Sequence, residues 1–189
     1  MTISYGFNAY VHTIRFNDDW SERFTTLTNT QVVVTAPDGD PGFTIDEWGY
    51  AGFDQLSDSA IRYSTPTYGA VADTLSPENP TSLRRVVQPG GEVTYLLVID
   101  RHVRTADDRI IGFDDIYFYV SGAPLPAFAS NAEFEAWYEA SSWGTIDPAD
   151  YPADTLIVWD DFDIDPVFTG TAQNETLTGT EFSDLISGG

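Results

Sequence analysis

Apolar and polar side chains alternate along several stretches of this chain, which is the pattern of β-strands. Residues 2–16 carry apolar side chains on both sides of an extended chain. Residues 93–99 are apolar on both faces, which predicts a central strand that is covered on each side. The strands predicted by alternation, and by the turns between them, are 2–16, 24–35, 43–48, 83–88, 93–99, 110–120 and 154–162.

Three connecting segments have the composition of turns or loops. Residues 37–42 are rich in glycine, proline and aspartate, which favour a tight change of chain direction. Residues 64–80 are rich in serine, threonine and proline and are predicted to be irregular. The short polar segment 104–109 joins two predicted strands and indicates a long hairpin.

One amphipathic helix is predicted near residues 131–143. Ser130 and Glu133 have the spacing of a capping box, which satisfies free N–H groups of the first helical turn. Gly144 is a stop signal. An aromatic stripe follows the cap at helical spacing: Phe134, Trp137 and Tyr138. We expect this stripe to pack on a sheet, and a platform for a ligand is the alternative.

Together these elements predict a mainly β fold. The expected form is an antiparallel β-sandwich or jelly-roll-like domain over residues 1–167, with the helix packed against it. Residues 168–189 have a different, nine-residue periodicity and are predicted to form a separate segment.

Charge narrows the classes of partner. Thirty acidic residues stand against eight basic ones, all of them arginine, and the formal net charge is -22. Such a surface repels nucleic-acid phosphate and anionic lipid, which argues against both as partners. Carboxylate-rich sites favour calcium, but solvated surface acids need no ligand, so both interpretations of the acidic excess stay open.

Several classes of protein lack support in the sequence. The absence of cysteine excludes disulfides and thiolate metal sites. There are two histidines, and there is no HExxH and no Gly-x-Ser-x-Gly motif. No apolar run approaches about 18 residues, so no membrane span is predicted. The first residues have neither the basic segment nor the apolar run of a Sec signal peptide.

The C-terminal residues repeat in units of nine. Each unit has glycine at its first position, which permits a turn with positive φ. An acid at the sixth position offers a hard oxygen ligand for calcium, and an aliphatic residue at the eighth fills the core of a solenoid. The residues that recur are Gly170, Glu175, Leu177, Gly179, Asp184, Ile186 and Gly188.

This pattern resembles the hemolysin-type (RTX) calcium-binding repeat, Gly-Gly-x-Gly-x-Asp-x-U-x, in which U is a large aliphatic residue. The resemblance covers residues 170–189. It implies that each unit forms half a turn of a parallel β-roll, with Ca²⁺ between loops stacked on the same side. Glu175 and Asp184 match the ligand acid, and Gly179 and Gly188 match the first glycine.

The resemblance also implies type I secretion to the extracellular space, guided by a C-terminal signal, with calcium-driven folding outside the cell. The repeats depart from the pattern at positions two, four and six. The departures are Thr171, Gln173, Glu175, Thr180 and Phe182. Such departures are expected of capping repeats. Two half-turns make one coil, so the implied calcium site is incomplete within these residues.

Two clusters of acids are further candidates. Asp161, Asp163 and Asp165 point the same way in an extended strand and repel one another unless a cation joins them. Pro166 replaces the glycine that an EF-hand loop requires, so an EF-hand is excluded and a solvated acidic face is the alternative. Asp100-Arg101-His102 is interpreted as a cluster at a hairpin end rather than as an acid–base catalyst.

Asp114 and Asp115 lie in the middle of an otherwise apolar strand. A bulge, an arginine partner such as Arg109 or a ligand site would each explain two acids at this place. We expect structural pairing with an arginine, because a buried charge is costly unless it is paired.

Aromatic residues in or near predicted loops are the better binding signal: Trp20, Trp48, Tyr50, Phe53, Tyr63 and Tyr68. Aromatic rings beside carboxylates suit sugar stacking with hydroxyl hydrogen bonds, and the alternative is that they cover the ends of a sandwich. The sequence thus favours a non-catalytic binding or adhesion module for a carbohydrate or cell-surface ligand in a secreted RTX-type protein. A secreted polysaccharide hydrolase and a structural cap of the β-roll are the alternatives.

Overall fold

The structure is a computed structural model that describes residues 2–37, 42–51, 59–65, 69–74, 80–158, 167–169 and 185–187. Its elements are β1 (Thr2–Phe16), β2 (Glu22–Pro37), β3 (Gly42–Thr44), β4 (Ala60–Thr65), β5 (Gly69–Thr74), β6 (Thr81–Val87), β7 (Val93–Arg104), β8 (Ile110–Gly122), α1 (Asn131–Ala140), β9 (Ser142–Gly144), β10 (Leu156–Val158), β11 (Val167–Thr169) and β12 (Leu185–Ser187).

Eight of these strands form one sheet in the order β5-β4-β2-β1-β8-β7-β6-β9. All neighbours in it pair antiparallel. Strands β3 and β10 form a second, two-stranded antiparallel ladder. The predicted mainly β, antiparallel, sandwich-like fold with one short helix is therefore confirmed.

The large sheet has an apolar core on each face. The core of the first face includes Tyr5, Phe7, Val11, Val32, Val34, Ile61, Leu97, Ile99, Ile116 and Phe118, and Phe43 of β3 and Ile157 of β10 join it. The second face, here called the helix face, carries a smaller core under α1: Val86, Leu96, Val98, Tyr117, Phe134 and Trp137. Strand β7 contributes to both cores, as its double apolar pattern predicts.

The sheet curls around the first core. Tyr63 lies on β4, yet its hydroxyl donates to Asp114 on β8, although β2 and β1 separate the two strands. Asp73 on β5 likewise accepts a hydrogen bond from Arg101 on β7. Side chains from distant strands meet only when the sheet bends strongly, as twisted sheets of this size do.

Helix α1 starts as the sequence predicts. Ser130 is the N-cap, and its hydroxyl accepts the backbone N–H of Glu133 at 3.2 Å. The Glu133 carboxylate accepts the N–H of Ala129 at 2.8 Å, one residue before the cap. Together these bonds satisfy two donors, and a cap of this kind stabilises a helix by about 1 kcal/mol.

The helix ends earlier than predicted. It stops at Ala140, with Ser141 as C-cap, although the sequence predicts an end near Gly144. The next three residues form β9, where Trp143 pairs with Val86 at the edge of the sheet. The backbone of residues 142–144 pairs with β6 in the sheet, so the helix cannot continue through these residues.

The prediction of an irregular segment over residues 64–80 is wrong in part. Strand β4 continues to Thr65, and β5 occupies Gly69–Thr74. Strand β5 lies at the edge of the sheet, where only one neighbour and one face constrain it. Small and polar residues are tolerated there, so the usual alternating pattern is absent. Strand β4 was not predicted either, although its burial alternates along Ala60–Thr65.

The other strands agree with prediction in position and differ in length. Strands β1, β2, β6, β7 and β8 are confirmed, and β3 covers only the start of the predicted 43–48 strand. The predicted strand 154–162 is observed as Leu156–Val158 within the described residues. In the described part of the chain, no helix has both the length and the apolar composition needed to cross a bilayer.

Two short strands at the C-terminal end pair parallel to each other. Val167 lies opposite Leu185 and Thr169 opposite Ser187, so the partners are 18 residues apart in sequence. That offset equals two nine-residue units. Strand β11 spans the predicted domain boundary between residues 167 and 168.

Candidate functional site

Asp114 and Asp115 are consecutive residues of β8 with opposite surroundings. Side chains alternate between the faces of a sheet, so Asp114 points to the first face and Asp115 to the helix face. The register places Thr13 and Arg101 directly opposite Asp114. On the other face it places His12 and Asp100 directly opposite Asp115. The two aspartates therefore belong to different sites.

Asp114 is a fully satisfied structural carboxylate. Its side chain is buried, and one oxygen accepts from Thr13 Oγ1 at 3.1 Å and Arg15 Nη2 at 2.9 Å. The other oxygen accepts from Tyr63 Oη at 2.6 Å and Arg101 Nη1 at 3.1 Å. Four donors occupy the acceptor positions of one carboxylate, which offsets the cost of burying its charge.

The expectation that Asp114–Asp115 pairs with arginine is correct for Asp114, but Arg109 is the wrong partner. Arg109 is the last residue of the β7–β8 turn and binds Asp18 at 2.6 Å. The partners are Arg15 and Arg101, which strand register brings to Asp114. The alternative of a bulge also fails, because the β7–β8 register shifts at Tyr95/Leu96 and Val103/Arg104 and not at the aspartates.

Gly112 makes room for the Arg15 side chain. A Cβ atom at Gly112 would lie 2.1 Å from the carbonyl oxygen of Ile14 and 2.7 Å from Arg15 Cδ. The Arg15 guanidinium crosses this position and donates to the carbonyl oxygen of Phe113 at 2.9 Å. A side chain at residue 112 would therefore displace one of the two cations that neutralise Asp114.

Asp115 has none of the partners that Asp114 has. Among the described residues, neither Asp115 nor Asp100 makes a side-chain hydrogen bond or an ion pair. Directly opposed residues of antiparallel strands have Cβ atoms about 4.5–5.5 Å apart. Two carboxyl groups thus stand side by side, partly buried and without an ion-paired or hydrogen-bonded cation among the described residues.

This proximity and burial shift the titration of both groups. Burial raises the pKa of Asp115 to about 7, with a further increase from the negative charges of Asp100 and Asp114. Burial also raises the pKa of Asp100, but Arg84 and His102 oppose that increase. The two carboxyls therefore differ in environment: Asp115 keeps its proton up to about pH 7, whereas Arg84 and His102 favour the ionised form of Asp100.

Aromatic side chains surround the pair. A cavity of about 420 Å³ holds both carboxyls and is lined by Arg84, Val98, Asp100, Asp115, Tyr117, Tyr138, Trp143, Gly144 and Thr145. Tyr138 of α1 and Trp143 of β9 contact each other with ring centroids 4.6 Å apart and planes inclined by 37°. The indole N–H of Trp143 donates to the carbonyl oxygen of Tyr138 at 3.2 Å, which holds the two rings together.

A second cavity of about 400 Å³ adjoins the first, because Asp115, Tyr117 and Tyr138 line both. It adds His12 and three glutamates: Glu22, Glu135 and Glu139. We call the two cavities together the helix-face groove. Its lining combines aromatic rings, acceptor oxygens and the single arginine Arg84 within the described residues.

His12 is a buried polar group of this groove. Its Nε2 atom has no hydrogen-bond partner in the described structure, and the nearest carboxylate oxygen, Oε1 of Glu135, is 3.9 Å away. That distance is too long for a hydrogen bond. Burial lowers the pKa of His12, and the negative charge of Glu135 opposes this effect. His12 thus lines the groove as an imidazole whose neutral form is favoured, and its Nε2 atom is buried and unpaired among the described residues.

The calcium candidates lie outside the described residues. They are Glu175, Gly179, Asp184 and Gly188 of the repeats and Asp161, Asp163 and Asp165 before them. Within the described ranges there is no group of three or more histidine, aspartate or glutamate residues that could hold a metal ion. The calcium assignment thus stays a prediction.

The predicted loop aromatics have different fates. Trp20 and Trp48 are exposed, and Tyr50 is partly exposed under the Arg84 guanidinium, which lies 4.7 Å from its ring centroid. The prediction of Tyr63 as an exposed loop aromatic is wrong, because its side chain is buried on β4 and its hydroxyl donates to Asp114. Phe53 and Tyr68 lie outside the described residues. Of these aromatic residues, the four that the structure describes (Trp20, Trp48, Tyr50 and Tyr63) do not line the groove.

Sequence reasoning missed the groove itself. Asp114–Asp115 and Asp100 were visible as polar interruptions of apolar strands, but the residue opposite each one depends on the register of three strands. The helix aromatics were predicted to pack on the sheet. Phe134 and Trp137 do so, whereas Tyr138 remains partly exposed at the groove.

Comparisons with known proteins identify no relative. No family model, no curated protein and no solved structure matches this chain. The groove is therefore interpreted from its own chemistry.

Replacing Asp115 should change how stability depends on pH. Between pH 5 and 8 the unfolded chain has lost the proton of this carboxyl, whereas the folded state keeps it up to about pH 7. The stability of the parent therefore falls as pH rises through this window, and Asp115→Asn escapes that fall. Urea unfolding should show the advantage of the variant growing by about 1–3 kcal/mol between pH 5 and 8.

The matched control is Glu92→Gln, which removes one negative charge from an exposed hairpin residue. It corrects for the general relief of repulsion in a chain with net charge -22. If Asp115→Asn and Glu92→Gln change stability in parallel at both pH values, Asp115 is not the shifted carboxyl.

Proposed function

We propose that this chain is a region of a secreted, calcium-binding RTX-type protein, and that its β domain binds carbohydrate in the helix-face groove. The observation that carries the binding proposal is the pair of unpartnered carboxyls, Asp100 and Asp115, in a cavity that the partly exposed Tyr138 and its neighbour Trp143 also line.

The chemistry of the groove suits a sugar. An aromatic ring offers a flat apolar surface to the C–H face of a pyranose. Free carboxylate oxygens accept hydrogen bonds from hydroxyl groups, and the Arg84 guanidinium donates to them. Ligand sites combine apolar walls with a few convergent polar groups in this way.

The calcium part of the proposal rests on the nine-residue periodicity of residues 170–189. The parallel pairing of β11 with β12 supports it, because 18 residues is the length of chain in one coil built from two nonapeptides. Parallel strands stacked at a fixed sequence interval are typical of solenoids. Secretion follows from the same resemblance, and the acidic composition is compatible with a calcium-rich exterior.

Calcium titration of this chain by calorimetry should detect no stoichiometric site tighter than about 0.1 mM, the range of weak extracellular modules. The resemblance implies that two nonapeptides make one coil, in which neither Glu175 nor Asp184 would have a stacked loop to complete the coordination shell. Tight binding that the double variant Glu175→Gln/Asp184→Asn abolishes would show that these repeats suffice. Tight binding that survives this variant would place the site in the β domain instead.

Glycan binding should depend on Tyr138. A glycan array followed by calorimetry on the best oligosaccharide should show Tyr138→Ala binding about tenfold more weakly, because a stacking surface is lost. Tyr119→Ala is the matched control, since Tyr119 is also a tyrosine of the helix face with 39% exposure against 40% for Tyr138. Tyr119 does not line the groove. Equal losses of affinity in both variants, or no glycan bound at all, would contradict the binding proposal. A structural cap of the β-roll would then remain as the function of the domain.

A second function is favoured by one observation, the opposition of Asp100 and Asp115 on adjacent strands. Retaining glycosidases use two carboxyls about 5–5.5 Å apart, one of them protonated near neutral pH. In this reaction Asp115 would give its proton to the glycosidic oxygen while Asp100 bonds to the anomeric carbon. Water, deprotonated by Asp115, would then release the sugar and restore both groups.

Reducing-sugar release from the bound oligosaccharide tests this second function. If the pair is catalytic, Asp115→Asn and Asp100→Asn should each slow turnover by about 10²-fold or more while glycan binding persists. Glu92→Gln serves again as the charge control. Binding without measurable release from the parent protein would leave the non-catalytic module as the function.

A further inference from the structure

A third cavity of the described structure lies on the first face, at the end of the sheet where the β1–β2 and β7–β8 turns meet. It has a volume of about 660 Å³. Four of the eight arginines of the chain line it, although the net charge is -22. They are Arg15, Arg23, Arg101 and Arg109. We call this cavity the arginine cleft.

At the deep end of the arginine cleft the arginines already form ion pairs with carboxylates. Arg15 and Arg101 both bind Asp114, and Arg101 also binds Asp73 at 2.7 Å. Among the described residues two cations and two carboxylates therefore meet there, in a network that leaves no acceptor position of Asp114 free. The balance means that the deep wall neither repels nor strongly attracts an anion.

The mouth of the cleft holds two arginines with free donors. Arg23 is exposed and makes no ion pair with another described residue. The Arg109 side chain is 51% exposed, and that of its ion-pair partner Asp18 is 92% exposed. An ion pair between such exposed groups contributes little, and it is easily exchanged for another oxyanion. The carboxylates of Asp18 and Asp107 are the acids that act on Arg109.

The walls between mouth and deep end are apolar. They consist of Phe16, Phe24, Val71, Val103 and Ile111. A ligand that fills the cleft therefore needs an apolar or aromatic body behind its charged group. Guanidinium groups bind carboxylate, sulfate and phosphate through two parallel N–H donors, which fixes the orientation of such a head group.

The two faces of the sheet thus offer opposite chemistry. The helix-face groove is lined by five acids and one arginine within the described residues, whereas the arginine cleft is lined by four arginines and two acids. In a chain of this net charge an organic anion is disfavoured over most of the surface. The cleft is the place where arginine donors and apolar walls converge.

We propose that the arginine cleft binds a small organic anion, with its carboxylate, sulfate or phosphate group held by Arg23 and Arg109 and its apolar body between Phe16, Phe24 and Val103. This site is separate from the helix-face groove and stands whether or not the groove binds glycans. Asp18 leaves Arg109 when the anion binds, and Arg15 and Arg101 remain on Asp114.

Three aromatic anions, benzoate, phenyl sulfate and phenyl phosphate, are suitable probes, with neutral benzamide as the uncharged control. Titrations are followed by calorimetry and by the Nε–Hε NMR signals of the eight arginine side chains. We expect at least one anion to bind in the millimolar range or tighter and to shift two arginine signals, those lost in Arg23→Gln and Arg109→Gln. Comparison of the three probes identifies the preferred head group.

Each of these substitutions should weaken binding about tenfold, as expected for loss of a charge-assisted hydrogen bond. Arg62→Gln is the matched control, because Arg62 is an exposed arginine of β4 outside the cleft. The proposal is overturned if no probe binds, if benzamide binds as well as benzoate, or if Arg62→Gln weakens binding as much as the cleft variants. Unchanged urea unfolding of the exposed-site variants confirms that the comparison concerns binding.

Discussion

The fold depends on one buried carboxylate. Asp114 is 1% exposed, and burying an ionised group costs several kcal/mol unless its acceptor positions are filled. Its donors come from β1, β4 and β7, which are 13 to 101 residues away in sequence. They meet only when the sheet curls so that β4 lies above β8. The need to satisfy Asp114 thus selects a curved sheet with this register, and Asp73 on β5 joins the same network through Arg101.

The alternation of side chains along β8 places a structural carboxylate on one face of the sheet and a candidate functional carboxyl on the other. Asp114 and Asp115 are neighbours in the chain, but their side chains lie on opposite faces of the sheet. Asp114 accepts hydrogen bonds from four donors, whereas Asp115 lies opposite a second carboxyl, that of Asp100. The burial that makes ionisation of Asp115 unfavourable also places it at the floor of a groove with aromatic walls. A polar residue that costs stability without a partner is a mark of a functional site. The same reasoning assigns Asp114 to the scaffold.

Local signals were sufficient for most elements. Alternation located β1, β2, β7 and β8, and the Ser130–Glu133 spacing located the start of α1. Local signals failed where tertiary contacts override them. Strand β5 is short, rich in small residues and located at an edge, so it lacks the usual alternating pattern. Tyr63 resembles a loop aromatic until its contact with Asp114 is known. The arginine partner of Asp114 was sought nearby, at Arg109, whereas strand register supplies Arg15 from 99 residues away.

The sequence by itself determined the mainly β class, the helix with its cap, and the nine-residue periodicity of the C-terminal segment. These depend on neighbours within a few residues, since pleat, helical turn and repeat are local periods. Only the tertiary structure decided which polar residues meet. The pairing of Asp100 with Asp115, the four donors of Asp114 and the convergence of four arginines all depend on the order and register of strands. Those are set by long-range packing, because a shift of one residue would exchange the two faces of every strand.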